Sequence, residues 1–386
     1  MKIFIASEFK CTIYKNEYYL APKVYMIYKR YADFFGKIIL CSRIEEKKEL
    51  PDGYRKVDFI EKIIKEEKLF RVLFHINDEE MYKEIKKCDL VIGRIPSMIG
   101  YRAFDCAKKL GKKYFAECMG DAWDSYWNHS FLGKIIAGYM FFKMKSVVKN
   151  SDYVLYVTER FLQNRYPNKN ITVNASNVIL KNLSINNLEK RLEKIQKFNN
   201  KNFSIMTVAG VNVKAKGHRF VIKAIAELKK IGINVNYYLI GNGDQTCLKK
   251  IIYKYKVENQ VHFLGELTLE KVYENLDLID IYIQPSLQEG LPRAVIEAMS
   301  RGCPCLGSNT AGIPELLDSE CIFKRKSVEA IVQAVIKITQ SDMKIYAINN
   351  FNKSKLYLEE KLNKKRNDYF NMIYKDLKNY GKNKKI

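Results

Sequence analysis

Two carboxylates with seven residues between them, Glu289 and Glu297, stand in the segment that runs from Gln284 to Pro304. The residue types there predict a strand ending at Gln284, a turn at Gly290, and a helix that opens at Pro292, runs to about Arg301 and stops at Gly302. Such an order presents free backbone N–H groups, and the positive end of a helix dipole, to whatever lies above the sheet. A diphosphate is a natural guest. Glu289 falls in the loop and Glu297 about a turn and a half into the helix, so the two reach different parts of one ligand. Standing alone they would read as a solvated loop carboxylate and a helix-surface carboxylate, or as the acid and base of a glycoside hydrolase.

They do not stand alone. The stretch Ala209 to Gly217 follows a strand and precedes a helix, which projects Lys214 and Lys216 toward the same sheet edge, where a lysine neutralises phosphate as a point cation. A third loop, Gly241 to Asp244, carries Gly241 and Gly243 after another strand; a lone GxG is weak evidence, but it lies at the same edge. A hydrolase leaves these lysine and glycine loops without a purpose.

The elements that must position these residues alternate regularly. Lys2 to Ala6, Lys37 to Cys41, Asp89 to Gly93, Lys113 to Cys118 and Tyr153 to Thr158 read as buried strands, with helices such as Tyr18 to Phe34 and Tyr101 to Leu110 between them. The composition turns to Asn, Lys and Glu from Asn182 to Asn202, a candidate boundary with one helix around Leu188 to Phe198. The same grammar then restarts, with strands at Phe203 to Ala209, Asn236 to Ile240, Val261 to Leu264, Ile281 to Gln284 and Pro304 to Gly307, and helices at Phe220 to Ile231 and Pro292 to Arg301. Two doubly wound α/β domains are expected, residues 1–180 and 181–365, with a helix at about 366–386 returning to the first.

Composition sets limits on function. The 386 residues carry 67 bases against 43 acids, a formal charge of +24, and 47% are hydrophobic, enough to fill two cores and to exclude a largely disordered chain. The charge invites a polyanion, or reflects only a Lys- and Asn-rich composition. Nine scattered cysteines without repeated CxxC spacing suit a reducing compartment. No apolar run reaches the length of a membrane span, so a cytoplasmic chain is expected. The four histidines (His75, His129, His218, His262) are widely spaced and no Asp-x-Asp occurs, which leaves a metal site little support.

Taken together, the second half resembles glycosyltransferase family 4, of two-domain GT-B architecture. The resemblance rests on the Glu289 and Glu297 pair, the run from Glu297 to Pro304, Ala311 to Glu315, the Lys216-Gly217 step and Gly241 to Asp244; it covers about residues 203 to 320, and the first half by architecture only. It implies a retaining, metal-free transfer from a nucleotide-diphosphate sugar to a glycan or lipid-linked hydroxyl, as in capsule, O-antigen or exopolysaccharide assembly. Glu297 would hold the donor ribose, and Glu289 with the backbone of Gly290 and Leu291 the sugar. Lys216 and the Pro292 end of the helix would meet the diphosphate, where leaving-group charge grows.

The chain also departs from the family. Where many members carry an arginine, it reads Gly210-Val211-Asn212, and Lys214 is expected to replace that charge. Where many place a histidine near the transferring sugar, the loop from Glu117 to Asp124 offers Asp121, suited to orienting or deprotonating an acceptor hydroxyl and equally to capping a helix. The first loop, Ser7 to Tyr14, lacks the usual glycine pair. Phe131 to Lys149, with four lysines, no acid and many bulky apolar residues, suits either a helix lying on an anionic membrane surface or a packed helix with a basic edge. Alternatives are a nucleotide-sugar epimerase of the same architecture, a non-catalytic partner subunit, and a basic polyanion binder. No nucleic-acid-binding module is evident.

Overall fold

The computed structural model describes residues 1–66 and 78–383. The first domain is built on a nine-stranded sheet. Its parallel strands are β1 (Lys2–Tyr14), β3 (Lys37–Glu46), β5 (Ile60–Glu66), β6 (Leu90–Ile95), β7 (Lys113–Cys118), β8 (Tyr153–Tyr156) and β9 (Thr172–Asn174), and β2 (Glu17–Leu20) and β4 (Arg55–Lys56) pair antiparallel at one side. β1 lies between β3 and β6, so the strand order reverses at β1. The second sheet is wholly parallel, in the order β12 (Val261–Gly265), β11 (Asn234–Ile240), β10 (Asn202–Val208), β13 (Ile281–Gln284), β14 (Cys305–Ser308), β15 (Ile322–Phe323). There the reversal falls between β10 and β13, and a crevice above such a switch point is where doubly wound sheets bind ligands.

The strands form where apolar residues run without alternation because both faces are covered. All four residues of β13 and all six of β6 are buried. One expectation fails at the N-terminus: the stretch Ser7 to Tyr14 is not a loop, and Tyr18 to Leu20 is not helical. β1 continues through an irregularity between Ala6 and Lys10 and turns back as a hairpin into β2, with Lys15 and Asn16 both at positive φ, 49° and 60°. Two consecutive left-handed residues are what a tight hairpin turn between twisted strands demands. The helix starts only at Pro22.

The chain crosses between the domains twice, and the two crossings touch: Leu180 pairs with Leu358, and the Glu359 N–H donates to the Leu180 carbonyl at 2.9 Å. The last helix, Glu359–Asn383, then lies on the first domain. Its anchor is Phe370, fully buried, with ring centroids 5.4 Å from Tyr31, 5.5 Å from Phe34, 5.4 Å from Phe35 and 6.0 Å from Phe115. Tyr369 adds polar ties, accepting from the Val154 N–H at 2.9 Å and donating to the Ile171 carbonyl at 2.8 Å. The two ends of the sequence therefore share one core.

Phe370→Ala is expected to cost about 3–5 kcal/mol, read as a lowered denaturation midpoint of the full chain. Phe142→Ala, at a ring 67% exposed, should leave the midpoint nearly unchanged.

Candidate active site

Above the switch point of the second sheet, the loop after β10 and the loop after β13 meet. The Leu287 N–H donates to the Ala215 carbonyl at 2.7 Å, which fixes the Lys214–Lys216 turn against the Pro285–Pro292 loop. The two loops form one wall of a cleft of about 590 Å³, lined from this side by Lys216, Glu289, Gly290, Leu291, Pro292 and Glu297, and from the first domain by Lys23, Arg94 and Asn177 among others.

Glu289 is held from three directions. Lys216 Nζ lies 2.7 Å from Oε1, Ser286 Oγ donates to the same oxygen at 2.7 Å and Gln284 Nε2 at 3.2 Å. Gln284 is itself oriented by the buried Tyr282 hydroxyl at 2.5 Å. All three donors converge on Oε1, so Oε2 is the atom left to meet a ligand. The carboxylate is enclosed, its side chain 10% exposed, and that positive charge and those donors replace the water it has lost.

Glu297 is different. It sits within the helix Arg293–Ser300, lines the cleft, and its carboxylate accepts no hydrogen bond among the described residues. Burial pushes its pKa up, and the charges of Arg293 and Lys23 offset part of that rise. The helix has no side-chain cap at Pro292, so its first N–H groups stay open toward the cleft. An unpaired carboxylate, an open helix N-terminus and a lysine in one concavity make a receptor for a ligand carrying both hydroxyls and negative charge.

The opposite wall is polar too. Arg94, buried in β6, pairs with Glu117 at 2.5 Å and lies 4.9 Å from the Phe9 ring centroid; Tyr31 donates to the same Glu117 oxygen at 2.8 Å. Asn177 donates to Glu117 at 3.3 Å and leaves its own carbonyl oxygen buried without a partner. These residues and Lys23 escaped sequence reasoning. The one signal was a charge inside the otherwise apolar run of β6.

The domains touch through the same loop. A Cβ at Gly290 would lie 2.0 Å from the Met119 carbonyl oxygen, so only glycine lets the loop pass so close to the first domain. Asn128 donates to the Leu287 carbonyl at 3.3 Å, and Arg325 Nη1 bridges Asp124 at 2.9 Å and the Leu287 carbonyl at 3.1 Å. Glu315 reaches across to accept from the Glu159 N–H at 2.7 Å and the Arg160 N–H at 3.0 Å.

Four of the residues expected at the site lie elsewhere. Asp121 caps the helix Ala122–Trp127, accepting from the Asp124 N–H at 3.1 Å, and its other oxygen is taken by Arg165 at 2.7 Å and by the Tyr166 hydroxyl. Both oxygens are committed, the side chain is buried and it does not line the cleft, which is the geometry of a helix cap. Lys214 does not replace a missing arginine in the cleft; it is exposed and lines a separate recess. Gly241 and Gly243 also stand outside the cleft. Their loop backs the one carrying Lys216: the Val211 N–H donates to the Asn242 carbonyl at 3.0 Å, and a Cβ on Gly243, at φ 120°, would meet Asn212 Oδ1 at 2.4 Å. No three of His, Cys, Asp and Glu gather as metal ligands among the described residues, and His75 lies outside them. His218 is buried between the Tyr237 hydroxyl (3.0 Å) and the Gly210 carbonyl (3.3 Å), with desolvation lowering its pKa to about 4.

Two consequences can be measured. Because folding raises the Glu297 pKa, the folded chain holds a proton that the unfolded chain gives up between the ordinary and the raised value, and stability falls as pH climbs through that window. Glu297→Gln removes the fall, so the ligand-free variant should melt above the native chain at neutral pH, the gap closing below the ordinary glutamate pKa; a variant that melts lower at neutral pH contradicts this. Gly290→Ala should force the loop off Met119 and lower turnover by about a hundredfold through misplacement alone, in a steady-state assay of a folded variant.

Residues 189–354 match the family described as glycosyl transferases group 1. Over 96% of its length the chain is 33% identical to Protein CapJ of Staphylococcus aureus, 92% of which is covered. A shorter stretch, 37% of the chain and 38% of the relative, is 31% identical to the amylovoran biosynthesis glycosyltransferase AmsK of Erwinia amylovora. Among solved structures, HepE of Anabaena in complex with UDP superposes with a TM-score of 0.63 at 14% identity, covering 96% of this chain and all of that one, a likeness of fold. The two Rossmann-like domains facing a cleft are the GT-B architecture, and the chain belongs to the glycosyl transferases group 1 family and is a transferase enzyme.

Proposed function

We propose that the enzyme is a retaining glycosyltransferase that moves a sugar from a nucleoside-diphosphate sugar to a hydroxyl of a glycan or lipid-linked acceptor, in the assembly of a capsule or exopolysaccharide at the inner face of the cell membrane. One observation carries the reading: the Lys216–Glu289 pair, the uncapped helix at Pro292 and the unpartnered Glu297 face one cleft. The helix is 1.5 Å per residue in rise, so Glu297 is set back from its open N-terminus by a few residues. That is the offset between a diphosphate and the ribose behind it. Lys216 and the helix N–H groups take the diphosphate, Glu297 accepts from the ribose hydroxyls, and Glu289 with the backbone of Gly290 and Leu291 holds the sugar.

Positive charge is what the bond-breaking step needs, because the anomeric C–O bond parts to leave a diphosphate. Lys216 and the helix dipole supply it without a metal ion. In the retaining transfer proposed, the departing diphosphate oxygen takes the acceptor proton on the same face of the sugar, and Asp121, committed to its helix cap, is not drawn on for it. Support for the donor class comes from HepE, whose structure holds UDP, and for the setting from AmsK, whose name is that of an amylovoran biosynthesis enzyme.

The test is thermal stabilisation by UDP, GDP, ADP, CDP and dTDP, on the native chain and on Glu297→Ala. One nucleotide should raise the native midpoint, and the variant should bind it about tenfold to a hundredfold more weakly, the worth of a hydrogen bond to a charged group. NMR of the product should show the donor's anomeric configuration. No response to any nucleotide ends this reading; an inverted product ends the retaining part, and interconversion of the donor sugar without acceptor would mark an epimerase instead.

A further inference from the structure

A second recess, of about 320 Å³, opens beside the loops that carry Lys216 and Glu289: Lys214 and Ala215 come from one and Leu287 from the other. Four bases face it, Lys134, Lys214, Arg219 and Lys326, with no acidic side chain in its lining. Among the described residues none of the four makes an ion pair. Arg219 Nη1 donates only to the Lys214 carbonyl, at 3.1 Å, and Lys134 lies 6.0 Å from the Trp127 ring centroid. Four unpaired cations around one concavity repel each other unless an anion enters.

Phe131 and Lys134 both line this recess, and both belong to the helix Phe131–Lys149. That helix buries Gly133, Ala137, Met140, Met144, Val147 and Val148 on one side. On the other it exposes Phe131 by 80%, Leu132 by 53%, Ile135 by 66%, Tyr139 by 66% and Phe142 by 67%. At 3.6 residues per turn these five occupy an arc of about 100°, with Lys134 and Lys145 along one flank. The helix carries no acid. Next to it both tryptophans of the chain, Trp123 and Trp127, stack at 5.4 Å between centroids, and Trp127 is partly exposed. A contiguous apolar face rimmed by lysines and indoles matches the headgroup layer of an anionic bilayer in both shape and charge.

We propose that this face lies in the headgroup layer of an anionic membrane and that the recess takes the phosphate groups of a diphosphate-linked lipid, the acceptor, presented from that layer beside the donor cleft. The proposal rests on the transferase reading above and gives its acceptor a place. It also assigns Lys214 a task outside the donor cleft, which its exposure there left unexplained.

Co-sedimentation of the full chain with three kinds of vesicle tests it: phosphatidylcholine alone, phosphatidylcholine with phosphatidylglycerol, and phosphatidylcholine with a polyprenyl diphosphate at matched surface charge. The native chain should ignore the first, bind the second, and bind the third more tightly. Ile135→Ser with Phe142→Ser should abolish binding to both charged vesicles. Lys134→Ala with Lys326→Ala should erase the preference for diphosphate and weaken binding about fivefold for each lysine removed. Equal binding to the two charged vesicles, or a preference that survives the lysine changes, overturns the proposal; so does inorganic diphosphate raising the melting midpoint through these lysines when no vesicle is bound, which would make the source a soluble phosphate. Nucleotide stabilisation is read on the same native samples. A chain that answers to nucleotide but not to diphosphate lipid loses this proposal and keeps the donor reading; one that answers to diphosphate lipid but to no nucleotide loses the donor reading, and with it the lipid's part as acceptor.

Discussion

A carboxylate drawn out of water loses the hydration that stabilised its charge and must be met by donors and a positive charge instead. Glu289 is met by Lys216, Ser286 and Gln284 at 2.7, 2.7 and 3.2 Å; the first two belong to the loops that leave β10 and β13, and Gln284 is the last residue of β13 itself. The demand explains much of the surrounding construction. Lys216 can reach only because the Leu287 N–H pins its turn, Gln284 is aimed by Tyr282, and the Gly241 to Asp244 loop supports the Lys216 loop from behind. The ion pair itself is not worth much as a stabiliser, since desolvation consumes most of its Coulomb energy. Its value is to fix a charged oxygen and an ammonium at one place in an otherwise mobile kind of structure, a loop.

The same loop is the contact between domains. Gly290 passes Met119 at a distance no side chain allows, and Leu287 takes hydrogen bonds from Asn128 and Arg325. Groups on both walls of the cleft therefore share a frame: Glu289 and Glu297 on one, Arg94 and Asn177 on the other. Closure of such clefts around a ligand is a familiar gate, and here any opening must slide Gly290 away from Met119 and release Glu315 from the N–H groups of Glu159 and Arg160.

How much of this was legible in the sequence depended on how local its cause was. The strands at Asn202–Val208 and Ile281–Gln284 and the helix after Pro292 follow from apolar runs punctuated by Gly and Pro, and they lie within a residue or two of where the pattern puts them. Two of the candidate charges shared a three-residue turn, where positions two apart diverge by about 120°; sequence alone could not say that Lys216 faces the cleft and Lys214 the recess. Asp121 was ambiguous for a related reason, since cap and base call for the same residue type. What decides it is Arg165 and Tyr166, brought by the fold from more than forty residues away. The hairpin at Lys15 and Asn16 lacks the glycine that usually announces such a turn, and Arg94 was hidden as one charge in a strand.

The central claim is that Lys216 serves the diphosphate and that Glu289 holds the lysine in competition with that ligand. Calorimetric titration of the stabilising nucleoside diphosphate into Lys216→Ala, Glu289→Gln and the double variant tests this most directly. Freed of its partner, the lysine in Glu289→Gln should bind the diphosphate more tightly than the native chain does; Lys216→Ala should bind it more weakly, and the double variant should match Lys216→Ala, the strong coupling of residues in contact. Equal affinities throughout, or effects of the two changes that simply add, would contradict the account.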